Sequence, residues 1–166
     1  MTAAAIEAQV VTKGSFEPLI KGLSDKTQRG ILRASLRRSV QQTVLKEARK
    51  NVREVAGSRH AKSMIAKSTA TNKVAFAAVG AKKGTAWSKI GHLIEGGTRS
   101  HSLRARKARV MVGRDGIFYG TKAVHPGTRP KPWLVPAWAT SKMKAVGKFG
   151  VFIVEEIDKA VAKGKR

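Results

Sequence analysis

The sequence predicts an α+β fold: two long amphipathic helices, at about 25–56 and 136–162, packed on a small antiparallel sheet, with a β-hairpin at 110–119. Three observations predict it. From 25 to 56, apolar residues return mostly at every fourth position, at Leu32, Leu36, Val40, Val44, Ala48, Val52 and Val55, and so draw one stripe along a helix. A second stripe, Trp138, Met143, Val146, Phe149, Ile153, Ile157 and Val161, follows Pro136. Between the two, residues 110–112 and 117–119 flank Asp115-Gly116, a pair suited to the positive φ angles of a tight hairpin turn.

Taken in order, residues 5–12 carry a weak strand pattern, and Gly14 and Pro18 punctuate the step to the first helix. Ser24 or Asp25 can cap that helix, and Gly57 stands where its C-terminal cap belongs. Its far face is charged, with Arg33, Arg37, Lys46, Arg49, Lys50 and Arg53. Residues 58–72 are small, polar and without period, which predicts a mobile loop. Residues 73–80 read as a strand with Val74, Phe76 and Ala78 inward, and a turn at Lys82, Lys83 and Gly84 follows. Trp87, Ile90, His92, Leu93 and Ile94 at helical spacing predict a short helix ended by Gly96 and Gly97. The prolines at 126, 130, 132 and 136 make an extended stretch, because the residue before a proline is pushed out of the α region. Pro136 then opens the last helix, in which Gly147 and Gly150 each cost about 1 kcal/mol relative to Ala. Without repeats or a second core, 1–166 is expected to form one domain.

Charge narrows the function classes. There are 34 Lys and Arg against 10 Asp and Glu, a formal charge of +24, and no cysteine. Disulfide scaffolds, thiol chemistry and cysteine zinc sites are thereby removed. No apolar run is long enough to cross a membrane, and residues 1–12 lack a signal-peptide pattern, so a soluble, unprocessed chain without a membrane partner is expected. A protein this cationic binds polyanions without sequence preference or settles against an anionic neighbour. Arg99, Arg104, Arg106, Lys107 and Arg109 form the densest acid-free run and the candidate contact for DNA or another polyanion. Phe118 and Tyr119 nearby are candidates for base stacking, although alternation would turn at least one of them into the core.

Templates for catalysis are absent. No nucleophile elbow, phosphate-cradling loop or dinucleotide fingerprint occurs. His92 and Glu95, three residues apart, give two ligands where zinc generally needs three from the protein. Glu95 and Asp115 are the only acids between Val55 and Val154, too few for a metal-dependent nuclease. No catalytic, cofactor-binding or metal-binding residue is therefore expected, and the chain is expected not to be an enzyme. A basic RNA-binding protein of ribosomal type is the alternative that composition leaves open.

Two segments carry more than composition. Residues 90–98 (IGHLIEGGT) end a short helix in Glu-x-Gly-Thr at Glu95, Gly97 and Thr98. Residues 125–137 (HPGTRPKPWLVPA) place Pro132, Trp133, Pro136 and Ala137 ahead of a final long helix. In this order they resemble the tail-completion or head-to-tail joining proteins of long-tailed bacteriophages, over nearly the whole chain. Departures are Gly96 where an aromatic is usual, Trp133 for the common Phe, and Val135 for a frequent Arg; residues 99–124, a basic loop plus hairpin, look like an insertion between the motifs. The resemblance implies a structural protein of the virion neck or tail end, assembled in the host cytoplasm. It further implies a homo-oligomeric ring, expected to be a hexamer, that touches neighbouring neck and tail proteins and lets double-stranded DNA pass without sequence preference. Glu95, Trp133, Glu155, Glu156 and Asp158 are the candidate subunit-interface residues. Glu155, Glu156 and Asp158 oppose the dipole near the C-terminal end of a helix and would be relieved by a neighbour's cations. Glu95 is a lone acid among basic residues that either belongs to a plain helix stop or pairs with an arginine of its own or a neighbouring subunit. Trp133 between prolines reads first as a hydrophobic anchor for the last helix and second as an interface hot spot.

Overall fold

The computed structural model describes residues 8–9, 21–71, 74–105, 110–113 and 116–164. Packing gathers the chain into two compact units, residues 1–89 with 133–166, and residues 90–132. The mixed fold is the one expected: two long helical stretches with small antiparallel sheets.

In the first unit, the long N-terminal helix is two segments, α1 (Asp25–Gln42) and α2 (Val44–Ala56), joined at Thr43. The break has a local cause. Thr43 Oγ1 donates to the carbonyl of Ser39 at 2.7 Å, a back-bond that competes with the helical ladder, and Thr43 leaves helical geometry at φ −120°, ψ −88°. A short helix α3 (Ser58–Lys62) follows, and Gly57 joins it to α2 at φ 88°. Strands β1 (Ala8–Gln9), β2 (Met64–Ala70) and β3 (Ala75–Ala81) form an antiparallel sheet in the order β1-β3-β2.

The expected mobile loop at 58–72 is thus corrected. Its residues from 58 to 70 are α3 and a strand paired with β3 along its full length, from Met64↔Ala81 to Ala70↔Ala75. Small side chains hid the alternation: Met64 and Ala66 are buried, and Ser68 Oγ donates to the Arg33 carbonyl at 2.8 Å. The same register turns Ala77 of β3 into the core, in place of the Phe76 and Ala78 face that was expected.

The last helix, α5 (Leu134–Ala162), begins two residues before Pro136, which sits in the first turn, where a missing N–H removes no helical bond. Its buried side also differs from the expected stripe. Ala137, Ser141, Ala145, Phe149, Phe152, Ile153 and Ala160 are inside, whereas Met143, Val146 and Val161 are exposed. The preference has a packing reason. Small residues on α1, α2 and α5 (Ser35, Ser39, Ala48, Ser141, Ala145) allow the helix backbones to close up, and Ser39 Oγ reaches the Ala145 carbonyl at 2.6 Å. Branched side chains at those positions would hold the helices apart.

The second unit contains the whole 99–124 segment. The helix α4 (Ala86–Gly96) leads into it, as the spacing predicted. Strand β4 (His101–Arg104) pairs antiparallel with β7 (Lys122–His125), so the front of the expected basic loop is a strand. The expected hairpin is present as β5 (Met111–Val112) against β6 (Phe118–Gly120), closed by Gly113 N to Ile117 O at 2.8 Å, with Gly116 at φ 80°. Asp115 lies outside the described residues.

Candidate functional site

The two motif segments meet in the second unit. Thr98 and Thr128 form an isolated antiparallel bridge: Thr98 N donates to Thr128 O at 3.0 Å and Thr128 N to Thr98 O at 3.1 Å. Their hydroxyls lie 3.1 Å apart, and Lys131 N donates to the Ile94 carbonyl at 2.8 Å. Two glycines make the approach possible. Gly97 has φ 69°, and a Cβ there would stand 2.6 Å from Thr128 O and 2.8 Å from Pro130 N. Gly127 has φ 88°, and a Cβ would overlap the Thr98 carbonyl oxygen. Gly97-Thr98 and Gly127-Thr128 therefore clasp one another through backbone.

Beside the clasp, His101 and His125 are register partners with rings stacked at 5.1 Å. His101 Nδ1 bonds the Arg99 carbonyl at 2.9 Å, and Gly127 N donates to His125 Nδ1 at 3.0 Å. Sequence reasoning missed this pair because the signal is strand register across a separation of 24 residues. Among the described residues, no group of three or more His, Cys, Asp or Glu is placed to hold a metal ion.

The candidate polyanion contacts divide. Arg99 and Arg104 are exposed, the latter on β4, while Arg106, Lys107 and Arg109 lie outside the described residues. Phe118 and Tyr119 are both exposed, Phe118 at 73%, so neither has the core role expected of one of them.

The candidate interface residues divide as well. Trp133 takes the packing role and not the interface one: it is 5% exposed, its ring lies 5.5 Å from that of Trp87, and its carbonyl accepts from Asn51 Nδ2 at 2.9 Å. A side chain buried in its own unit has almost nothing to offer a neighbour. His60 extends the cluster, 5.2 Å from Trp87. Glu155 and Glu156 find their cations within the chain. Arg38 binds Glu155 and lies 3.9 Å from Glu156, Lys159 binds Glu156 at 2.7 Å, and the Arg38 guanidinium also caps the Phe152 ring at 4.1 Å. Asp158 is exposed on α5, and Glu95 is half-buried on α4.

Comparison with family models, curated proteins and solved structures returns no match to this chain.

Proposed function

We propose that the chain is a non-enzymatic structural subunit of the neck or tail end of a tailed bacteriophage, assembling with copies of itself as a hexameric ring through which duplex DNA passes. The observation that carries this reading is the second apolar side of α5. Opposite the buried side, Met143, Val146, Val154 and Val161 recur at three- to eight-residue intervals on one helical face and are exposed, Met143 at 74%. Apolar side chains in a row on the outside of so cationic a chain favour contact with another protein over contact with water. Leu103, Val112, Phe118 and Val124 add exposed apolar surface in the second unit. The order of the two motifs supports the family, and their backbone clasp supports a scaffold role.

Asp158, flanking the apolar side of α5, is the acid best suited to meet a neighbour's cation, since Glu155 and Glu156 are paired within the chain. Light scattering on Met143→Asp combined with Val154→Asp tests the reading. The unsubstituted protein is expected at ring mass, and the double variant at lower mass with unchanged helix content by circular dichroism. A wild-type monomer that gains mass only when RNA is added would refute the ring and favour the ribosomal-type alternative.

A further inference from the structure

A second group of cations is on α2 and α3, outside the basic run at 99–109. Lys46, Arg49, Lys50 and Arg53 follow the spacing that places side chains on one side of a helix. Two open hollows, of about 460 and 440 Å³, lie along that side. Arg49 and Arg53 line both; Lys46 and Lys50 line the first with Gln41 and Glu47, and Ser58, Ala61 and Lys62 line the second. Lys46, Lys50, Arg53 and Lys62 are exposed, and among the described residues none of them is ion-paired. Arg49 is held differently: its Nη2 donates to the Met64 carbonyl at 2.8 Å, which ties its guanidinium to the start of β2. Glu47 is the single acid lining either hollow. Five cations gathered around two concavities repel one another until an anion enters.

We propose that this double hollow is a binding site for the phosphodiester backbone of duplex DNA. The choice of DNA as the polyanion rests on the proposed function; the place of the site rests on the structure. From Lys46 to Arg53 the helix rises about 10.5 Å, the axial distance covered by about three phosphates of one strand. The lining holds no aromatic ring to stack on a base, so the site reads charge and spacing and not sequence. An acidic protein partner fits less well, because the lining also lacks the large apolar side chains from which protein interfaces build their cores.

The test is the salt dependence of affinity for a short duplex of arbitrary sequence, read by fluorescence anisotropy. The variant Lys46→Gln, Lys50→Gln, Arg53→Gln, Lys62→Gln keeps Arg49 and its bond to Met64. Its log–log salt slope is expected to be shallower by about 3 to 4, near 0.9 for each phosphate left without its cation. The charge-matched control is Arg99→Gln, Arg104→Gln, Lys122→Gln, Arg129→Gln, four exposed cations of the second unit. A slope change of less than about 1 in the control supports the site. Equal flattening in both variants would mean that affinity follows net charge, and flattening in the control alone would put the DNA on the second unit; either overturns the proposal. Polyglutamate competing as well as duplex at equal charge would overturn it in favour of an acidic protein. Light scattering on the same samples reads the ring separately, so a failure of assembly and a failure of this site are distinguishable.

Discussion

Replacing Gly127 by Ala should open the clasp between the two motifs. The residue sits at φ 88°, where an L side chain costs about 1 to 2 kcal/mol. Its Cβ would also overlap Thr98 O and stand 2.9 Å from Arg99 C and 3.1 Å from Ser100 N, all backbone atoms that no rotamer change can move aside. The bridge must then give way, with two backbone hydrogen bonds worth about 1 kcal/mol each. The total is about 3 to 4 kcal/mol against the second unit. Gly120→Ala supplies the comparison, because Gly120 has φ 71° but open space around its Cβ position and should cost only the torsional part. Amide hydrogen exchange at Thr98 and Thr128 reads the difference. These amides should exchange about thirtyfold faster in Gly127→Ala than in Gly120→Ala, a gap of about 2 kcal/mol at 1.4 kcal/mol per decade. Equal protection in the two variants would refute the claim that close backbone approach, and not torsion alone, requires glycine at 127.

Two buried serines one turn apart on α1 should respond with opposite signs in urea unfolding. Ser39→Ala removes the bond to Ala145 O and should destabilise by about 1 kcal/mol, whereas Ser35→Ala removes a buried hydroxyl that has no partner among the described residues and should stabilise by about 1 kcal/mol. Gly147→Ala, on α5 with nothing within 4 Å of its Cβ position, should raise stability by about 1 kcal/mol through helix propensity, seen as a higher denaturation midpoint with an unchanged m-value. Arg38→Met should cost about 1 kcal/mol, because the bond to Glu155 and the stacking on Phe152 are both half-exposed; the loss should shrink in concentrated salt, as measured by thermal unfolding across ionic strengths.

The long helices, the short helix before Gly96 and the hairpin across Gly116 were all legible in the sequence, because each is written in a local period or a turn residue. Strand β2 was not, since Met-Ile-Ala-Lys-Ser-Thr-Ala alternates too weakly in hydrophobicity to declare itself without its partner β3. The cationic face of α2 was visible as a pattern, but its second hollow required α3 to close against it. Glu155 looked unpaired because its partner Arg38 is more than a hundred residues away in the chain, whereas the partner of Glu156, Lys159, is a local i,i+3 neighbour that the sequence already offered.

Composition and local residue order settled the charge, the lack of cysteine chemistry and the helical periods, since these depend on residue identity and on neighbours a few positions away. Which side of α5 is buried was decided only by tertiary structure. Both of its sides are apolar enough to be inside, and the one that packs is the one whose alanines and serines let other helices come close. The same holds for the clasp at Thr98 and Thr128. Two glycine-threonine pairs thirty residues apart acquire meaning only when the chain brings their backbones into contact.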